Sequence, residues 1–130
     1  MLYDSKNWDK NLPAKFKSAE ELQIPENHYV ALLKTLELFE SGKVPRHMFT
    51  MHFIGAPECG TAGCILGWAA TFEPLMRNGF RPEAVGPLFY PSGPDGVYKA
   101  NVQQGAKALR GFLTTGNARA AWREAMKEGE

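Results

Sequence analysis

The sequence predicts a mainly α chain: a small irregular helical bundle with at most a minor pair of short strands, α+β only in that limited sense. Three apolar stripes at helical spacing, each set between start and stop residues, carry this expectation. They are Tyr29, Leu32, Leu33, Leu36 and Phe39; then Val102, Ala106, Leu109, Phe112 and Leu113; then Ala118, Ala121, Trp122, Ala125 and Met126. Strand-like composition is confined to a segment at about 48–54, and Val97-Tyr98 is its one faint partner. At 130 residues the chain is expected to form a single globular domain, residues 1–130, with 1–24 as an N-terminal arm packed on it.

Fifteen basic residues against fourteen acidic ones leave a net charge of +1. Such a balance gives no long-range field to gather nucleic acid or an anionic membrane. The basic residues are scattered, with mild concentrations from Lys6 to Lys17 and from Lys107 to Lys127 that read as solvated faces. No stretch reaches the roughly twenty apolar residues of a membrane helix. The opening residues show no apolar signal region, so a cytoplasmic chain with reduced thiols is expected.

In the arm, Leu2, Tyr3, Trp8, Leu12 and Phe16 are isolated apolar anchors, and Pro13 interrupts them. Ser18 precedes Glu21 by three residues, the spacing of a capping box, which predicts a short helix over 18–22. Pro25 suits a first helical turn, and Glu26 suits its positive end. Gly42, ahead of Pro45, ends the first long helix. Between 44 and 58, Met48, Phe49, Met51 and Phe53 alternate only imperfectly with Arg46, His47, Thr50 and His52. A strand there competes with a helical turn, and Ile54-Gly55-Ala56-Pro57 acts as its stop.

Residues 58–69 hold both cysteines of the chain and three of its glycines. Thr61 is placed to cap a helix, and Gly60 permits a tight corner before it. Cys64, Trp68 and Phe72 then fall at i, i+4 and i+8, which predicts that they share the core face with Trp68 at its centre. Gly63 and Gly67 each lower helix propensity by roughly 1 kcal/mol against Ala. Close packing of another segment is the physical reason to place them there. Pro74 bends or ends the helix. Further on, Gly86-Pro87 is expected to disrupt a helical turn begun at Arg81, leaving Leu88, Phe89 and Tyr90 as an apolar anchor between proline-rich turns. Asn101 and Asn117 start the last two helices, and Gly116 separates them so closely that the two must be neighbours.

The run Cys59-Gly60-Thr61-Ala62-Gly63-Cys64-Ile65-Leu66-Gly67-Trp68-Ala69 resembles a motif, CGT-x-x-C-x-x-GWA, of small uncharacterised proteins of bacteria and their phages. A Met- and aromatic-rich segment precedes the cysteines in that family, as His47-Met48-Phe49-Thr50-Met51-His52-Phe53 does here, and the likeness covers about residues 47–70. It implies a bacterial or phage setting, and it carries over no catalytic residue.

Four chemistries remain open for the motif. Cys59, just before a helix start that lowers thiol pKa, could be a nucleophile. His52 or His47 would then be its base, and Thr61 or helix N–H groups would polarise a carbonyl. No Asn or Asp is placed to orient either histidine. A zinc site would join His47, His52, Cys59 and Cys64, yet the four residues inside each pair are loose for a knuckle. A Cys59–Cys64 disulfide fits a corner but not a reducing compartment. The preferred reading is a packing motif in which Cys59, Gly60, Thr61, Gly63, Cys64, Gly67 and Trp68 are structural. Function would then lie on the surface, as a non-catalytic protein-binding or accessory module with no cofactor. Its partner would be another protein or a second copy, with neither nucleic acid nor membrane involved. Leu88, Phe89 and Tyr90 are the candidate interface.

Overall fold

The computed structural model describes residues 16–51, 55, 57, 62–78, 85–90 and 99–128. Helix α1, Ala19–Leu22, starts as its sequence dictates. The Glu21 N–H donates to Ser18 Oγ at 3.1 Å, and the Ser18 N–H donates to Glu21 Oε1 at 2.8 Å. Those hydrogen bonds hold the Glu21 carboxyl below its ordinary pKa. Gln23 closes the turn in the left-handed region at φ 61°.

Pro25 stands one position before α2, Glu26–Glu40, as its N-cap, where a fixed φ and a missing N–H cost the helix nothing. Leu32, Leu33, Leu36 and Phe39 are buried as the spacing predicts, and Tyr29 is half-buried. The buried face is wider than the stripe, because His28, Ala31 and Thr35 are buried as well. Thr35 satisfies its hydroxyl by donating to the Ala31 carbonyl at 2.7 Å. The chain leaves through Gly42 at φ +78°, a conformation that favours glycine.

The expected strand at 48–54 is not formed over its described part. Arg46–Met48 is a 3-10 turn, and Phe49 makes a single parallel bridge to Gly63. The Thr50 N–H donates to the Gly63 carbonyl and the Gly63 N–H to the Met48 carbonyl, each at 3.1 Å. The described pairing therefore comes from the cysteine motif; Val97-Tyr98 and residues 52–54 lie outside the described residues. The bridge turns the Phe49 ring inward, where it meets Phe39 edge-on at 5.5 Å. Gly105 accepts that ring: a Cβ there would stand 2.6 Å from Phe49 Cζ.

Helix α3 spans Ile65–Ala70 and α4 spans Leu75–Asn78, with Pro74 between them. A helix starts at Gly86-Pro87, where the sequence predicts a break; residues 81–84 of the turn expected before it lie outside the described residues. Helix α5 is Gly86–Phe89, with Pro87 in its first positions, where its missing N–H is no loss. Helix α6, Val102–Thr115, opens on a capping box between Asn101 and Gln104 and closes on Gly116 at φ 75°. Helix α7, Ala118–Glu128, is capped by Asn117, whose Oδ1 accepts from the Ala120 N–H at 3.0 Å.

Helices α6 and α7 form the most extensive pair; α2 lies on α6, α3 on α2, and α5 on α7. Close approach at the α6–α7 crossing needs a small residue, and Gly111 supplies it: a Cβ would lie 2.8 Å from that of Ala121. Arg110 and Glu40 tie α6 to the end of α2 through two hydrogen bonds of 2.8 and 2.6 Å. The described end of the arm belongs to the core, since Ala19, Leu22 and Ile24 are buried. Among the described residues Trp122 is the largest fully buried side chain, and its indole N–H donates to the Leu88 carbonyl at 2.9 Å.

Candidate functional site

In the described part of the cysteine motif, 62–69, the helix begins later than its sequence suggests. Cys64, not Thr61, is the residue at the N-cap of α3, and its carbonyl accepts the first helical bond from Trp68 N–H at 2.9 Å. Starting the helix three residues further on rotates the expected face. Ile65, Leu66 and Ala69 are fully buried, whereas Phe72, past the helix end, is 40% exposed. Cys64 is buried as expected. Trp68 is only half-buried: it packs edge-on to Phe39 at 6.3 Å, and its indole N–H donates to the Met48 carbonyl at 3.0 Å. It ties the corner to the segment before it, and Trp122 holds the centre that the sequence assigns to Trp68.

Close packing is present at Gly63, which forms the bridge to Phe49. A Cβ on Gly55, at φ +71°, would strike the Ala62 carbonyl oxygen and lie 2.7 Å from Gly63 Cα. Gly67 is buried in α3. Cys59, Gly60, Thr61 and His52 lie outside the described residues. Of the candidate bases, His47 is described and is exposed. No group of three or more His, Cys, Asp and Glu side chains could hold a metal among the described residues.

The Leu88-Phe89-Tyr90 anchor divides between core and surface. Leu88 is fully buried and Phe89 is buried, while Tyr90 is 52% exposed. Helix α5 causes the split, since it directs Leu88 and Phe89 inward and ends before Tyr90. A contact surface at this place would rest on Tyr90 alone.

A polar cluster lies where α2 meets the α3–α4 turn, with His28 buried, Glu73 half-buried and Asn27 exposed. Glu73 accepts from the Asn27 amide at 3.0 Å and from the Leu75 N–H at 3.2 Å, and these bonds hold its carboxyl below the ordinary value. Burial lowers the pKa of His28, with the Glu73 charge opposing. The Glu73 bond to Asn27 joins the two elements, and neither His28 nor Glu73 lines the groove between α6 and α7.

A concavity of about 470 Å³ lies elsewhere, between α6 and α7. Gly111, Ala120, Ala121 and Ala125 form its floor, Phe16 a wall, and Lys107, Arg110, Thr114, Thr115 and Glu124 its rim. The same small residues that let the helices cross closely leave the space above them unfilled. The Arg110 guanidinium lies over the Phe16 ring at 5.4 Å, which fixes the wall in place. An apolar floor under a rim of both charge signs suits an amphipathic segment or ligand. Sequence reasoning assigns Ala121 and Ala125 to the core stripe and misses the groove. Its signal is Gly111 in mid-helix opposite an alanine-rich turn of α7.

No protein family, no curated protein and no solved structure matches this chain. The likeness carried by residues 47–70 therefore stands on the motif alone. Among the described residues no helix is long and apolar enough to cross a membrane.

Proposed function

We propose that this chain is a non-catalytic binding module that holds an apolar segment of a partner protein in the groove between α6 and α7. The observation that carries the reading is the groove itself, about 470 Å³ with a floor of glycine and alanine. Small floor residues admit large side chains from a partner, and the charged rim supplies orientation. A net charge of +1 supports a protein partner over nucleic acid, whose nonspecific binding rests on many phosphate contacts. The described part of the motif, 62–69, joins 48–50 to α3 through Gly63, and the motif's resemblance supports a bacterial or phage setting.

A photoreactive phenylalanine analogue at Thr115, on the rim, tests the proposal in cells that express the chain. It should capture a discrete partner that the same analogue at Arg123, which does not line the groove, does not capture. Ala120→Arg fills the groove while keeping a good helix former, and it should abolish capture. Capture that Ala120→Arg leaves intact would refute the groove as the binding surface.

A further inference from the structure

We infer that the segment held in the groove is residues 72–75 of a second copy of this chain, so that copies join head to tail; the inference rests on the groove being the binding surface. Among the described residues the exposed large apolar side chains are Phe72, Tyr90 and Leu75, the last of them 70% exposed. Phe72 and Leu75 stand three positions apart at the α3–α4 turn, with Pro74 exposed between them. They form one knob, which isolated surface residues do not. Its backbone is fixed from below. The Leu75 N–H donates to Glu73 Oε2 at 3.2 Å, the Asn27 amide donates to Glu73 Oε1 at 3.0 Å, and Met76, next to Leu75, is buried. The turn is thus anchored through Glu73 and Met76 while it presents Leu75 outward. Lys34 lies 6.0 Å from the centroid of the Phe72 ring. A knob already held in one conformation loses little freedom on docking.

Knob and groove match in size and lie on different parts of the fold. Phe and Leu side chains fill on the order of 200 Å³ at protein packing density, and the groove of about 470 Å³ admits both with Pro74. None of residues 72–75 lines the groove of its own chain. The knob's neighbours Asn27 and Lys34 are on α2, and α4 packs on α3. An apolar knob and an apolar hole on separate faces of one chain meet between copies, as a heterologous contact that grows into a ring or a row. A net charge of +1 sets little repulsion between copies against it. The knob exposes on the order of 200 Å² of apolar surface, well under the roughly 800 Å² that each partner buries in a stable complex. The contact is therefore weak and reversible, and copies assemble only when concentrated.

Sedimentation velocity on the full chain, from low micromolar to millimolar concentration, reads the assembly. The mean mass of the wild type should rise with concentration past that of a dimer. Leu75→Glu, a residue that suits a first helical turn, and Ala120→Arg should each raise the concentration of half-association at least about tenfold, the loss expected of an interface anchor. Mixed in equal amounts, the two variants should form a dimer and nothing larger. The intact knob of the Ala120→Arg chain then meets the intact groove of the Leu75→Glu chain, and the other two surfaces are blocked. A wild type that stays monomeric throughout, or a mixture that does, would overturn the inference. In purified protein carrying the photoreactive analogue at Thr115, the crosslink should map to residues 72–75 of another copy. A crosslink to any other segment would overturn the inference whatever the variants do. If Thr115 captures only a different protein, and Ala120→Arg abolishes that capture, the inference falls and the groove stands. Self-association and capture both indifferent to Ala120→Arg would overturn the two together.

Discussion

Replacing Trp122 by Phe should be among the costliest conservative changes in this chain. Trp122 is fully buried and its indole N–H donates to the Leu88 carbonyl at 2.9 Å, so it joins α7 to α5 through the core. Losing the donor leaves that carbonyl's hydrogen bond unmade, which costs about 1–3 kcal/mol. The smaller ring leaves roughly 40 Å³ unfilled, adding about 1 kcal/mol at roughly 24 cal/mol per Å³. Together these predict a loss of about 2–4 kcal/mol and a fall in Tm on the order of 10 °C. Trp68→Phe is the internal control. Trp68 is half-buried, and the Met48 carbonyl that it serves also accepts from the Gly63 N–H at 3.1 Å. That carbonyl keeps a donor in the variant, so the cost should be about 1 kcal/mol, near the net value of one ordinary hydrogen bond. Urea unfolding followed by far-UV circular dichroism measures both, with equal m-values showing that the same transition is compared. A Trp68 variant that loses as much as the Trp122 variant would refute the assignment of Trp122 as the centre of the core.

Gly105→Ala should cost about 1–3 kcal/mol, since its Cβ would stand 2.6 Å from Phe49 Cζ; combining it with Phe49→Leu should recover part of the loss, and a fully additive pair in the same urea assay would contradict the contact. Stability should fall on acidification from about pH 6.5, the unfolded value for His, because burial depresses the folded pKa of His28 and the unfolded chain takes the proton first. Glu73, also depressed, adds its own loss only below its ordinary value of 4.5. His28→Asn should flatten the curve of urea midpoint against pH below 6.5, whereas parallel curves for variant and wild type would remove His28 as the cause. Cys64, 3% exposed, should resist iodoacetamide until the chain unfolds, and Cys59 should alkylate no faster than an ordinary exposed thiol. Rapid alkylation of Cys59 near neutral pH would favour the cysteine-enzyme alternative, with His52 or His47 as its base.

The long helices were legible because each carries its own boundaries. Pro25, Gly42, Asn101, Gly116 and Asn117 all act within one helical turn, as Ser18 and Glu21 do for the short α1, so local sequence suffices to place them. What sequence reasoning missed depends on contacts distant along the chain. Phe49 pairs with Gly63 through hydrogen bonds across fourteen positions, and that bridge holds Gly63 extended, so α3 begins only after Cys64. A start three residues later moves Trp68 off the centre and leaves Phe72 beyond the helix end. Gly86-Pro87 reads as a break by composition, but proline at a first helical position costs nothing once Val85 and Leu88 are buried. The groove was hidden for a different reason. Alanines facing a core and alanines flooring a cavity obey the same 3.6-residue period, and only the Gly111–Ala121 approach separates them.

The most direct test of the account sets the groove against the thiol in one assay. With the photoreactive analogue at Thr115, partner capture should survive Cys59→Ser and disappear with Ala120→Arg, each variant melting within a few degrees of the parent. Capture lost on Cys59→Ser and retained in Ala120→Arg would contradict the binding-module reading and return function to the cysteine corner.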